Sequence, residues 1–241
     1  MANYVLVHGA WHSGDTLDGV ASLIRAKGYD VHTPTTKGNR PGDLKTIGLS
    51  EAIDSIVESM EQTGIEDAIL VGHSFGGMVI TGVADRILHR IRRLVYWSAY
   101  VPNDGESIQD MTSPHIVHAL EALAAERNDG SVLLPFPLFR EAFINDGDLG
   151  TAQKAYNMLN PQPMQTFRDK IRLSTNPADM KVGKSYINCT EDTAASHSHP
   201  WHPRLSEKLG LFRLIQIPGS HEIGFTHPDR IARAIIEAGR D

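Results

Sequence analysis

Cysteine is almost missing: Cys189 stands alone among 241 residues, so no internal disulfide can form and a small disulfide-held scaffold is excluded. A reducing compartment fits that usage. Long hydrophobic runs are also missing, since nothing approaches the roughly 18 apolar residues that a membrane helix needs. The opening Met1–His8 lacks the basic start and apolar stretch of an export leader, and the expectation is a soluble, cytoplasmic chain with no membrane partner. Positive charge is short as well. With 23 Lys and Arg against 29 Asp and Glu, the formal net charge is −6, and no basic cluster would hold phosphate backbones, which disfavours nucleic acid. No internal repeat and no low-complexity tract occur. Hydrophobic residues make up 41% of the chain. A chain this long hides roughly 70–75% of the surface its unfolded form exposes, so one domain with an insertion is expected.

The apolar pattern alternates between short runs and helical spacing. Tyr4 to Val7, closed by His8-Gly9, reads as a buried strand. Leu17, Val20, Ala21 and Ile24 share one helical face, and Gly28 supplies a stop. Tyr29 to His32 reads as a second strand, and Thr35 to Gly48 as loop. Leu49, Ala52, Ile53, Ile56, Val57 and Met60 restart the helical period. Ala68 to Val71 is an uninterrupted apolar run of the kind found in a strand covered on both faces. A helix over Phe75 to Leu88 follows, then strands at Leu94 to Trp97, Tyr186 to Cys189 and Phe212 to Ile217. A last helix is signalled by Thr226 and Asp229, with Ile231, Ala234, Ile235 and Ala238 in phase. Such alternation predicts an α/β fold with a mostly parallel sheet of about six strands flanked by helices.

Between Pro102 and Lys184 the strand signal disappears. Ile116, Ala119, Leu120 and Leu123 share a helical face, and Phe136, Leu138, Phe139 and Phe143 form an aromatic and aliphatic cluster. A connection this long is not an ordinary loop. Residues 103–184 are therefore expected to form a helical cap inserted after the fourth predicted strand, over a core made of 1–102 and 185–241. The C-terminal edge of the sheet, where open α/β folds bind ligands, is where it should lie.

Directly after the third predicted strand stands Gly72-His73-Ser74-Phe75-Gly76-Gly77, a G-x-S-x-G pattern in strand–turn–helix context. The turn needs small neighbours and projects the serine from the sheet edge. A serine hydroxyl becomes nucleophilic only when a base removes its proton, and a carboxylate must orient that base. Of twelve histidines, His221 is chosen because it follows the last strand and precedes the final helix. His227 reads as a helix-start neighbour. Glu191 and Asp192 follow the preceding strand, with Asp192 favoured, and Asp104 occupies the rival position after the fourth strand. Acyl transfer also needs two backbone N–H groups facing the developing oxyanion. Phe75, after the serine, and Ala10, in the first-strand loop His8-Gly9-Ala10-Trp11, are the candidates, while His8 reads as a structural hydrogen-bonding residue.

Taken together, Val5-Leu6-Val7-His8-Gly9-Ala10-Trp11-His12, Val71-Gly72-His73-Ser74-Phe75-Gly76-Gly77-Met78, Cys189-Thr190-Glu191-Asp192 and Gly219-Ser220-His221 resemble the α/β-hydrolase superfamily. Within it, the chain is similar to the branch of plant methylesterases, hydroxynitrile lyases and bacterial pyrethroid- and salicylate-ester-hydrolase-like proteins. The resemblance implies a serine hydrolase acting on a small-molecule ester, with Ser74 as nucleophile, Asp192 as orienting acid, His221 as base, Ala10 and Phe75 as oxyanion amides, and no cofactor. The lyases of this branch carry a lysine after the catalytic histidine and a threonine beside the first-strand loop. Here Glu222 and Ala10 stand at those places, which disfavours cyanohydrin cleavage. Glu222 itself reads as a solvated carboxylate at a loop end more readily than as a substrate contact.

Three imidazoles, His197, His199 and His202, fall within six residues. No thiolate or H-E-x-x-H helix accompanies them and Pro200 interrupts their spacing, so no metal is assigned. Trp11, Phe136, Phe139 and Trp201 are the candidate pocket residues, with Phe143 and Met164 beside them. Lactone, amide or C–C bond cleavage, cofactor-free chemistry on the His–Asp base, and a non-catalytic ligand receptor are the alternatives. A homodimer is compatible with the sequence.

Overall fold

The computed structural model describes residues 3–240. Tyr4 to Val7 lie in strand β1 (Asn3–Val7), and helix α1 (Asp18–Arg25) follows and ends before Gly28, whose φ of +87° suits a residue without a Cβ. Strand β2 (Asp30–His32), helix α2 (Leu49–Gln62), strand β3 (Ala68–His73), helix α3 (Gly76–Ile87) and strand β4 (Ile91–Trp97) complete the first half. After a long insertion come strands β7 (Gly183–Cys189) and β8 (Arg213–Ile217) and helices α9 (Ile223–Thr226) and α10 (Pro228–Ala238).

The six strands of the main sheet are all parallel, in the order β2-β1-β3-β4-β7-β8. Leu6 stands opposite Val71, Leu70 opposite Leu94, and Ile187 opposite Ile215. Successive side chains of a strand point to opposite faces, and this splits the core in two. Val5, Val7, Leu70 and Tyr96 pack with residues of α2 and α3 on one face. Tyr4, Leu6, Val71 and Val95 pack with residues of α1 and α10 on the other. Parallel strands put all their C-termini on one edge, so the loops after Val7, His73, Trp97, Cys189 and Ile217 share it.

The insertion between β4 and β7 carries helices α4 (Ile108–Met111), α5 (Pro114–Ala125), α6 (Phe136–Leu138), α7 (Leu149–Tyr156) and α8 (Gln165–Arg168), with a π turn over Phe139–Phe143 prolonging α6. Contrary to the strand-free expectation, it also holds a short antiparallel pair, β5 (Ser131–Val132) and β6 (Gln162–Pro163). Strands of two residues have no period to detect. The last helix starts at Pro228 rather than at Thr226, because a proline is favoured at the first helical position. Thr226 instead closes α9 and donates its hydroxyl to Asp146 Oδ2 at 2.9 Å. Among the described residues, no helix is long and apolar enough to cross a membrane.

Candidate active site

Ser74 occupies the turn between β3 and α3 with φ +52°, a left-handed conformation unusual for a side chain of its kind. The surroundings hold it there. Its N–H donates to the Trp97 carbonyl at 3.1 Å, and its carbonyl accepts from Gly77 at 3.0 Å and Tyr100 at 3.1 Å. The flanking glycines are required by close approach. A Cβ on Gly72 would sit 2.6 Å from the Gly76 carbonyl oxygen, and one on Gly76 would sit 2.7 Å from that of Val7 and 2.9 Å from that of His8.

His221, in the loop after β8, donates from Nδ1 to Asp192 Oδ2 at 2.6 Å, and both side chains are buried. Asp192 Oδ1 also accepts from the Ala194 N–H at 2.9 Å. Burial pushes the His221 pKa down, but the charge and hydrogen bond of Asp192 outweigh it, so the net direction is upward from the ordinary 6.5. The Trp201 ring stacks on His221 at 5.3 Å and Phe143 meets it edge-on at the same distance. The rival carboxylates lie elsewhere. Asp104 Oδ1 accepts from the Leu173 N–H at 2.8 Å, and Glu191 is exposed.

Ser74, His221, Ala10 and Phe75 all line one cavity of about 390 Å³. Among the described residues, neither the Ala10 nor the Phe75 N–H enters a turn or loop hydrogen bond with another backbone group. His8 is buried with Nδ1–H donating to the Gly9 carbonyl at 2.8 Å and Nε2 accepting from the Thr36 N–H at 3.1 Å. Burial lowers its pKa to about 4, and it serves as a neutral strut between loops.

Of the four pocket candidates, Trp11 and Trp201 line the cavity, whereas Phe136 and Phe139 do not. The turn of α6 and its continuation directs Leu138, Ala142 and Phe143 inward, while Phe136 and Phe139 pack on Tyr156 at ring distances of 5.2 and 5.7 Å. Met164 is core. Arg204 is the one fixed charge among the lining residues, and its Nη2 donates to the Met111 carbonyl at 2.6 Å. In the histidine triplet, His199 Nδ1 pairs with Ser198 Oγ at 2.9 Å and His202 Nδ1 with Ser206 Oγ at 2.7 Å. Only His199 of the three reaches the cavity wall.

Two polar features escape a reading by residue type. Gln162 is fully buried and its Oε1 accepts from the Trp11 N–H at 3.0 Å and from Asn39 Nδ2 at 2.8 Å, fixing the first-strand loop. Glu222, expected to be solvated, is 5% exposed, and its Oε2 lies 3.5 Å from Nε2 of the equally buried His12. Its backbone N–H is anchored on the Phe143 carbonyl at 2.9 Å. Burial raises its pKa to about 7. His73, His221 and Glu222 bring one ligand atom each within 4.8 Å of one another. Within this group Nδ1 of His221 is bonded to Asp192, and Nε2 of His73 donates to the His221 carbonyl at 3.1 Å.

Residues 4–234 match the model of the Alpha/beta hydrolase family. The chain is 40% identical over 250 residues to the carbendazim hydrolyzing esterase of Nocardioides sp. (strain SG-4G), an alignment covering 99% of this chain and 100% of that protein. It is 24% identical over 261 residues to salicylic acid-binding protein 2 of Nicotiana tabacum, covering 98% and 96% of the two chains. Among solved structures, an extracellular alpha/beta-hydrolase from Paenibacillus species, described as sharing structural and functional homology with that tobacco protein, superposes with a TM-score of 0.96. The two are 34% identical over 100% of both chains. Fold, family model and relatives agree, and the chain belongs to the alpha/beta hydrolase family.

Proposed function

We propose that this chain is a serine hydrolase that cleaves small carboxylic esters through an acyl-enzyme on Ser74. The observation that carries the reading is the buried 2.6 Å bond from His221 Nδ1 to Asp192, on a histidine that shares its cavity with Ser74. A histidine that donates from Nδ1 keeps its lone pair on Nε2, the atom left to take the Ser74 proton. Oγ then attacks the ester carbonyl carbon, and the oxyanion that forms faces the Ala10 and Phe75 amides. Collapse expels the alkoxide, which receives the proton from His221. Water attacks the acyl group in the second half, with His221 again as base, and releases the acid and free Ser74.

Residues 103–184 act in this reading as a cap over a core of 1–102 and 185–241. Ile116, Leu120, Leu123, Leu138 and Phe143 of the cap make one side of the cavity apolar. The loop 193–204, outside those bounds, completes the wall with Ala194, Trp201 and Arg204. An apolar or aromatic acyl or alcohol portion fits such a lining. The 40% identity to a carbendazim hydrolyzing esterase makes carbendazim a first substrate to try beside nitrophenyl esters of two chain lengths.

The test is fluorophosphonate labelling of wild type and Ser74→Ala, read by intact mass, with ester turnover assayed in parallel. Wild type takes up one label; Ser74→Ala takes up none and loses about 10⁴-fold or more in turnover with its circular dichroism unchanged. A Ser74→Ala protein that still turns over esters overturns the assignment.

A further inference from the structure

Glu222 and His12 are buried, adjacent and unused by the mechanism above. His12 lies in the first-strand loop, and its Nδ1 is 2.7 Å from the Ala10 carbonyl oxygen. A carbonyl only accepts, so Nδ1 carries the hydrogen and a neutral His12 presents a lone pair at Nε2. That Nε2 has no hydrogen-bond partner among the described residues, and the atom facing it at 3.5 Å is Oε2 of Glu222. An ionised carboxylate there would set two acceptors against each other out of water, a costly arrangement that one proton relieves.

We propose that a single proton held between Glu222 Oε2 and His12 Nε2 ties the loop carrying His221 to the loop carrying the Ala10 amide, making Glu222 and His12 positioning residues for base and oxyanion donor. This inference rests on the hydrolase reading above. The link is short at both ends: Glu222 follows His221 in the chain, and His12 bonds to the carbonyl of Ala10, a residue that lines the cavity. Burial raises the Glu222 pKa to about 7 and lowers that of His12 to about 3, so between those values the pair keeps one proton. The charged and titratable groups around it are His221, Asp192 and Asp146 on the Glu222 side, and His8, His73 and His221 on the His12 side. Asp192 and Asp146 favour the protonated carboxyl and His221 opposes it. The Phe225 ring lies against His12 at 5.9 Å and adds no charge.

Two measurements test the link. In the infrared, wild type at about pH 6 shows the C=O stretch of a protonated carboxyl that Glu222→Gln lacks, and the band disappears with a midpoint near pH 7. This readout needs no turnover, so it stands apart from the Ser74 labelling that tests the hydrolase reading. In kinetics, Glu222→Ala and His12→Ala lower kcat about 10- to 100-fold with KM nearly unchanged. Glu222→Gln, whose amide donates to Nε2 without titrating, recovers most of that loss and keeps its kcat where wild type declines above pH 7. Identical infrared spectra for wild type and Glu222→Gln overturn the shared proton. A band that is present, with kcat–pH profiles that coincide for wild type and Glu222→Gln, overturns the positioning role.

Discussion

At Asp192 a single atom decides what His221 can do. Asp192→Asn keeps the shape of the carboxyl, but an amide at that place can donate to Nδ1 and drive the hydrogen to Nε2, where the proposed mechanism needs a lone pair. We expect kcat to fall about 10³- to 10⁴-fold with a small change in KM, measured by steady-state ester hydrolysis. His221 could be singled out from twelve histidines because it follows the last strand and precedes the final helix, with His227 read as a helix-start neighbour. Asp192 could be picked from Glu191 and Asp104 only with help from resemblance. Glu222 was misjudged for a physical reason: its side chain is buried against His12 and its N–H bonds to the Phe143 carbonyl from the insertion, contacts that no local pattern encodes. Phe136 and Phe139 were misjudged because an aromatic cluster does not say which face meets the cavity and which meets Tyr156.

Helix α3 and strand β1 meet through Gly76, and this contact tests the architecture at the scale of elements. Gly76→Ala drives a Cβ to 2.7 Å from the Val7 carbonyl oxygen, where backbone on both sides must move. Its unfolding free energy in urea should drop by about 1–3 kcal/mol, with a loss of kcat, since the same shift separates Ala10 from Phe75. The long strands and helices follow from period alone: apolar runs at Tyr4 to Val7 in β1, Ala68 to Val71 in β3 and Leu94 to Trp97 in β4, and helical spacing for α1, α2 and α10. The β5–β6 pair does not. It is placed by Gln162, whose side chain bonds to Trp11 and Asn39, residues more than a hundred positions away in sequence.

Across the whole molecule, three of the buried histidines, His8, His12 and His73, make folding sensitive to acid. Burial lowers the pKa of His8 to about 4, of His12 to about 3, and of His73 well below 6.5. Below pH 6.5 the unfolded chain takes up protons that the native state refuses, so stability present above that pH is lost as pH falls toward the folded values. Glu222 has the opposite sign: its pKa is raised from 4.5 to about 7, so its contribution is full below 4.5 and lost as pH rises through 7. Near pH 5 the histidines bind about three protons on unfolding and Glu222 releases about one, a net uptake of about two. The melting temperature should therefore fall steeply below pH 6.5, and a flat profile between pH 5 and 7 would refute the buried neutral histidines. Under the proposed mechanism, activity moves with His221, whose raised pKa places the acid limb of kcat/KM above pH 6.5. At this scale the single cysteine speaks only to disulfides: the relative with a TM-score of 0.96 is extracellular, so scarcity of cysteine does not choose a compartment.

The sequence by itself determined the α/β architecture, the turn that carries Ser74, and the loop that carries His221. Each of these is written in local order: apolar period, glycine spacing, and position relative to a strand. Tertiary structure alone decided that Phe136 and Phe139 turn away from the cavity, that Gln162 holds the first-strand loop, and that Glu222 lies against His12. Those outcomes depend on packing between segments distant in sequence, where desolvation and the supply of hydrogen-bond partners, rather than residue type, set what a side chain does.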